Sequence, residues 1–250
     1  MSHPRRRTKR PPKRGRTPGF RIEQVAFGPE PGENVASPSL GDLERALRAH
    51  DDDFAWASVS SDVIPVMPRV RPYAVGFPEP LRVMVEPGIA IGFAIDIGPA
   101  FMNVGSDLLR SWDVPLREVH TQSLMNLSGR AARIDPGAIV EGSLDDTPTR
   151  WLQSGQSISS VLILVPDTLR QIFGPEPAFF ITPMRDLIIG LPLEVDRELA
   201  AWLWLEIAAE DPNCLGPMGY RFDGSSVWTE PLNLPFEPAS SRSGTGTHVI

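Results

Sequence analysis

Proline occupies 27 of the 250 positions and recurs along the whole chain. Each one locks its own φ, removes a backbone donor and restricts the residue before it. Long helices are therefore disfavoured, and short elements joined by rigid turns are expected. Hydrophobic residues at 41% and charged residues at 22% are ordinary for a globular chain and set aside collagenous, coiled-coil and wholly disordered classes. The length suffices to bury one sizeable core, in one or two domains.

The formal charge of -7 conceals a segregation. Nine of the 24 basic residues lie in residues 1–21, which hold no acid, leaving 15 against all 31 acidic residues, about -16 over residues 22–250. The body has the wrong sign for phosphate, so nucleic acid or another anionic surface is expected as a partner only of the 1–21 tail. Three readings of that tail stand side by side: such a tether, a segment paired with the chain's own acidic body, and an accidental extension from an upstream start codon. Residues 1–36 combine Pro, Gly and charge too densely to offset chain entropy, and disorder is expected there, with a short strand over Phe20 to Phe27 as the exception. Residues 37–236 are expected to form a single α+β globular domain, and 237–250 a flexible C-terminal tail. No apolar run reaches the roughly 18 residues that span a bilayer. No hydrophobic stretch follows the basic tail as in a signal peptide. With Cys214 as the single cysteine, a disulfide scaffold is excluded and a reducing, cytoplasmic setting is expected.

Hydrophobic period places the elements. Ser39 caps a first helix with Asp42 as its capping-box partner, and Leu40, Leu43, Leu47 and His50 share one face before the solvated run Asp51 to Asp53. Residues 62–80 alternate but are broken by proline, which predicts an edge strand or an extended cover. Leu81, Val83 and Val85 alternate with polar neighbours. After a Pro87–Gly88 turn, Ile89, Ile91, Phe93, Ile95 and Ile97 alternate with Ala90, Gly92, Ala94 and Asp96. The small face lets a second layer approach, so this is read as an inner strand covered on both sides. A short helix capped by Ser106 runs to Trp112. A second over 115–129 turns Leu116, Val119, His120, Ser123, Leu124 and Leu127 inward and stops at Gly129. Residues 130–156 read as a surface connection with one or two marginal strands. Val161 to Val165 reads as a continuous apolar strand, Pro166 to Phe173 as a short helix, and 178–182 with 187–191 as a hairpin. Glu194 to Glu210 is the longest helix, its apolar arc so wide that burial on two sides, or a protein partner on the Trp202 to Leu205 surface, is expected. A last hairpin is expected around Asp223 and Gly224. The fold class is thus α+β, mixed or mostly antiparallel sheet layers with helices packed on one face.

Catalytic motifs are missing. There is no G-x-S-x-G elbow, phosphate-binding loop, dinucleotide fingerprint, H-E-x-x-H or paired C-x-x-C, and His3, His50, His120 and His248 are scattered. His120, on an otherwise apolar face, reads as a core histidine. No cofactor, metal or catalytic residue is assigned. The polar pair that stands out is Arg185 and Asp186, in the turn between two apolar strands, where a guanidinium can hold a carboxylate or phosphate. The alternative is that Asp186 caps the turn and Arg185 is solvated. Arg69 and Arg71 share one side of an extended segment and are expected to pair internally. Asp96, Asp107, Asp113, Glu118, Asp145 and Asp146 converge on no site. The function these features suggest is a non-catalytic binding or adaptor domain. The alternative is an enzyme acting on a small anionic substrate through the Arg185–Asp186 turn.

The order of elements also resembles the bacterial domain-of-unknown-function family 1444. The matching features are a strand leading to a short acidic helix that ends near Trp112, a helix closing with Asn126 and Leu127, and further on an apolar strand, a short helix and a strand ending in a Pro-x-Arg-Asp turn at Pro183, Arg185 and Asp186. The short helix is less acidic here, with Asp107 alone. The resemblance spans roughly residues 60–230 and implies a cytoplasmic bacterial domain, without an activity to carry over.

Overall fold

The computed structural model describes residues 54–70, 80–85, 88–98, 100–211 and 213–234, with Ser39, Gly41, Asp42, Arg45 and the backbone of His248–Val249. The tail to residue 36, the strand over Phe20 to Phe27, the stripe Leu40, Leu43, Leu47 and His50, the run Asp51 to Asp53, Arg71 and most of the stretch after residue 236 lie outside it. The first helical turn opens as a reciprocal capping box. Ser39 N and Oγ donate to Asp42 Oδ2 at 3.1 and 2.7 Å, and Asp42 N donates back to Ser39 Oγ at 3.2 Å.

A five-stranded sheet grows around the alternating segment. β2 (Val83–Val85) and β3 (Ile89–Asp96) form an antiparallel hairpin, closed by Gly88 at φ +96° with its N–H donating to Val85 O at 2.7 Å. β1 (Val63–Val66) pairs antiparallel with β3, placing Pro65 opposite Phe93. Because β1 is an outer strand of this sheet, Pro65 costs no ladder bond. β4 (Phe101–Asn103) pairs with the same stretch of β3 on its other edge. β3 is buried on both faces, as its alternation of large and small residues predicts. At Gly92 a Cβ would lie 2.8 Å from Pro80 Cβ, so the incoming chain uses the space the glycine leaves. Where a flexible tail is expected, β11 (His248–Val249) adds to β2 in parallel, satisfying that strand's outer edge.

The short helix α1 (Trp56–Val59) precedes β1, and its Trp56 ring lies 5.0 Å from that of Trp112, at the end of α2 (Ser106–Ser111). α3 (Leu116–Ala131) packs on β1. Asn126 Nδ2 donates to Ser60 O at 2.7 Å and Val63 O at 2.8 Å, and Gln122 Nε2 orients its carbonyl from 2.9 Å. Arg130 binds Asp96, with Asp62 at 3.9 Å. The helix passes through Gly129 instead of stopping there. The glycine's side faces open space, and Arg130 and the buried Ala131 hold the extra turn against the sheet.

The second sheet has six antiparallel strands, in the order β10, β9, β7, β8, β6, β5. β7 (Ala178–Met184) and β8 (Leu187–Pro192) are its centre, and β9 (Met218–Phe222) and β10 (Val227–Pro231) form the last hairpin. β5 (Val140–Leu144) and β6 (Thr147–Leu152) lie in the stretch expected to be a surface connection. Their two-residue turn, Asp145 and Asp146 at φ +47° and +62°, is a residue pair that tolerates the left-handed region. β6 is not marginal: it pairs with β8, and Leu152 is fully buried.

Residues 161–165 correct the expected strand. Ser159–Leu164 form a 3-10 helix that leads directly into α4 (Pro166–Phe173), which proline opens. A short apolar run buried on every side has no period to separate helix from strand. The 3-10 helix wedges between the sheets, contacting β1, β7, β8 and α3. Ile64, Phe93 and Ile95 of the first sheet, Leu162 and Ile163 of the wedge, and Phe180, Ile188 and Phe222 of the second sheet form one contiguous core.

The opposite face of the second sheet, with Phe179, Ile181, Ile189 and Leu191 buried, is covered by α5 (Arg197–Glu210). Asp196 caps α5, accepting from Glu198 N at 2.9 Å, so the helix starts three residues later than expected. Its wide apolar arc is largely consumed within the chain: Leu203 and Trp204 are 5% and 4% exposed, while Trp202 and Leu205 are half-buried. The fold class is α+β, built on mostly antiparallel sheets.

Candidate functional site

The β7–β8 turn brings Arg185 and Asp186 to the seam where the 3-10 wedge meets the second sheet. Asp186 Oδ1 accepts from Ser154 Oγ at 2.5 Å and Ser159 Oγ at 2.8 Å, with Ser159 N at 3.4 Å, while Oδ2 accepts from Gly155 N at 2.7 Å. The loop it holds turns through the left-handed region, at Gly155 (φ +68°), where a glycine bears no cost, and at Ser157 (φ +57°), where a side chain makes it locally strained. Ser159 is fully buried, so the carboxylate neutralises donors that would otherwise be orphaned. Arg185 is not splayed into solvent. Its guanidinium lies 5.3 Å from the Phe101 ring centroid on β4, and its carbonyl accepts from Ser160 N at 3.1 Å. The pair therefore ties both sheets and the wedge together.

Arg69 forms an isolated antiparallel bridge with Leu215, and Val70 N donates to Cys214 O at 3.0 Å. His120 sits edge-on to Phe93, with centroids 6.5 Å apart, and burial holds its imidazole below the usual histidine range, favouring the neutral ring. Among the described residues no group of three or more His, Cys, Asp or Glu could hold a metal ion. No helix of the described residues is long and apolar enough to cross a membrane.

Sequence reasoning assigned no role to Asp96, yet with Arg130 it locks α3 onto the first sheet. It also missed Glu230, whose carboxylate meets Arg197 at 2.5 and 3.3 Å while that guanidinium lies 3.8 Å from the Phe179 ring centroid. These ion pairs absorb part of the body's excess acid. The residue types were visible; their pairing across 33 or 34 positions carried no local signal.

Two concavities accompany these features. A surface groove of about 530 Å³ runs beside Leu193, Arg221, Asp223 and the 45% exposed Trp228. A smaller cavity of about 80 Å³ lies between the ends of the two sheets, where Thr182 and Tyr220 face Met67 and Ala90. Burial pushes the Tyr220 phenol up to about 12, and the neighbouring Thr182 hydroxyl opposes part of that shift without the geometry of an ordinary hydrogen bond. No family model, curated protein or solved structure matches the chain.

Proposed function

We propose that residues 37–236 form a non-catalytic binding or adaptor domain, related to the bacterial domain-of-unknown-function family 1444 and acting in the cytoplasm. The observation that carries this reading is the state of Asp186. Both its oxygens are engaged by Ser154, Gly155 and Ser159, so the carboxylate works as a clasp on the loop before the wedge, while Arg185 lies beside the Phe101 ring. A carboxylate acting as general acid or base needs an oxygen within hydrogen-bond reach of the substrate's proton, and the Asp186 oxygens are turned to the loop instead.

The partner-facing surface in this reading is the flank of α5 that the chain leaves half-covered, Leu199, Trp202 and Leu205, which recur at helical spacing. The nine cations of residues 1–21 supply a separate segment suited to an anionic surface. The test is affinity capture with the full chain, a chain starting at residue 37, and a Leu199→Asp/Leu205→Asp variant with an unchanged unfolding midpoint. A protein that rebinds the purified chain saturably, and is lost with the double variant, supports the reading. Loss with the tail alone moves the site to residues 1–36 and refutes the α5 surface. Consumption of a phosphorylated or carboxylated small molecule by the purified chain, abolished in a folded Arg185→Ala variant, would establish the enzyme instead.

A further inference from the structure

The core-facing side of β7, β9 and β10 is apolar over most of its length, through Phe180, Phe222 and Val227. At one end it changes to three hydroxyl residues. Thr229 stands opposite Tyr220 in the β9–β10 register, Tyr220 stands opposite Phe180, and Thr182 lies two residues beyond Phe180 on β7. All three line the cavity of about 80 Å³, whose other walls include Met67, Ile89, Ala90, Leu215 and Met218. Thr182 is 1% exposed and Tyr220 4% exposed. Valine has the shape of threonine and carries no buried hydroxyl, so an apolar seam gains nothing by choosing threonine unless something accepts from it. Within the described residues Thr182 Oγ1 makes no hydrogen bond of ordinary geometry.

We propose that this cavity binds a small neutral molecule, or the neutral end of a longer one, whose apolar part lies among the methionine, isoleucine and leucine walls and whose carbonyl or hydroxyl oxygen accepts from Thr182 and Tyr220. The volume, about 80 Å³, is several times the ~10–15 Å³ one water requires and about half the ~150 Å³ of a cavity that takes benzene's six heavy atoms, which corresponds to about three enclosed heavy atoms, the carbonyl end of a small ketone. Among the described residues the lining holds no Lys, Arg, His, Asp or Glu, which favours a neutral ligand. The elevated phenol shows the same surroundings resisting a negative charge. This ligand site does not depend on the adaptor reading.

The test uses the full chain carrying ¹³C-methyl methionine, with Met67 and Met218 assigned through Met67→Leu and Met218→Leu. The probe is 2-butanone, and butyrate, of similar size but charged, is the control. Saturable shifts of both methyls with a Kd on the order of millimolar are expected from so small a ligand. Butyrate is expected to leave them unmoved. Thr182→Val, which preserves shape, is expected to weaken 2-butanone about fivefold to tenfold, the effect of one lost hydrogen bond. Ala90→Leu, which fills the space, is expected to abolish binding. Absence of saturable shifts, equal shifts with butyrate, or unchanged affinity in Thr182→Val would each overturn the proposal, the first showing a pocket that holds water alone.

Discussion

Replacing Asp186 withdraws one acceptor that Ser154 Oγ, Gly155 N and Ser159 Oγ share at 2.5–2.8 Å, with Ser159 N more distant at 3.4 Å. Hydrogen bonds to a charged group contribute about 1.5–3 kcal/mol each, and a buried donor left unpaired costs about 1–3 kcal/mol. Gly155 is exposed and recovers a bond from water, whereas Ser159 is fully buried and does not. The four contacts share one anchor and are not additive. Asp186→Ala is therefore expected to lose about 3–5 kcal/mol, a large part of the ~5–15 kcal/mol that holds a typical domain together. Asp186→Asn keeps one acceptor but turns an N–H toward a donor, and is expected to lose about 2 kcal/mol. Equilibrium urea unfolding, followed by tryptophan fluorescence, measures this as a lower midpoint at an unchanged slope. Because the clasp holds the loop before the wedge, backbone amides of residues 153–160 should also exchange faster. If Asp186→Asn moves stability by less than about 0.5 kcal/mol, the size of an ordinary surface effect, the clasp reading is wrong and the carboxylate is free for another use.

Tyr220 predicts an alkaline limit. Its folded-state pKa, raised from 10.0 to about 12, leaves stability intact below pH 10 and removes it as pH climbs toward the folded value, because the unfolded chain releases the proton first. The loss is expected at up to about 1.4 kcal/mol per pH unit and to vanish in Tyr220→Phe, read from unfolding midpoints across that range. Gly219→Ala would place a Cβ 2.2 Å from Phe179 Cζ and 3.0 Å from Glu230 O. It should cost about 2–4 kcal/mol, read as a lower Tm. Asn126→Ala orphans the carbonyls of Ser60 and Val63 and should cost about 2 kcal/mol, with faster exchange at β1.

Local chemistry made much of this fold legible. The capping box at Ser39 and Asp42, the β2–β3 hairpin turning at Gly88, the two-sided burial of β3, the β7–β8 and β9–β10 hairpins and α4 all follow from period, proline and glycine within a few residues of each element. The errors fall where those signals are weak. Ser159–Leu164 carries apolar residues on every side and therefore no period. β5 and β6 carry small polar residues whose strand character comes from pairing.

Asp186 marks the boundary most plainly. Its type and its place in a turn between buried strands were readable along the chain. That its partners would be serines 27 and 32 residues away was decided when the wedge folded back onto the turn. The Arg130–Asp96 pair, the covering of Leu203 and Trp204, and the cavity beside Thr182 have the same origin. The sequence by itself determined which segments alternate and where they turn, because those preferences act between neighbours. Which faces met, and therefore which polar groups were spent and which were left facing a void, was decided by the tertiary structure, because burial and hydrogen bonding are settled between residues far apart in the chain.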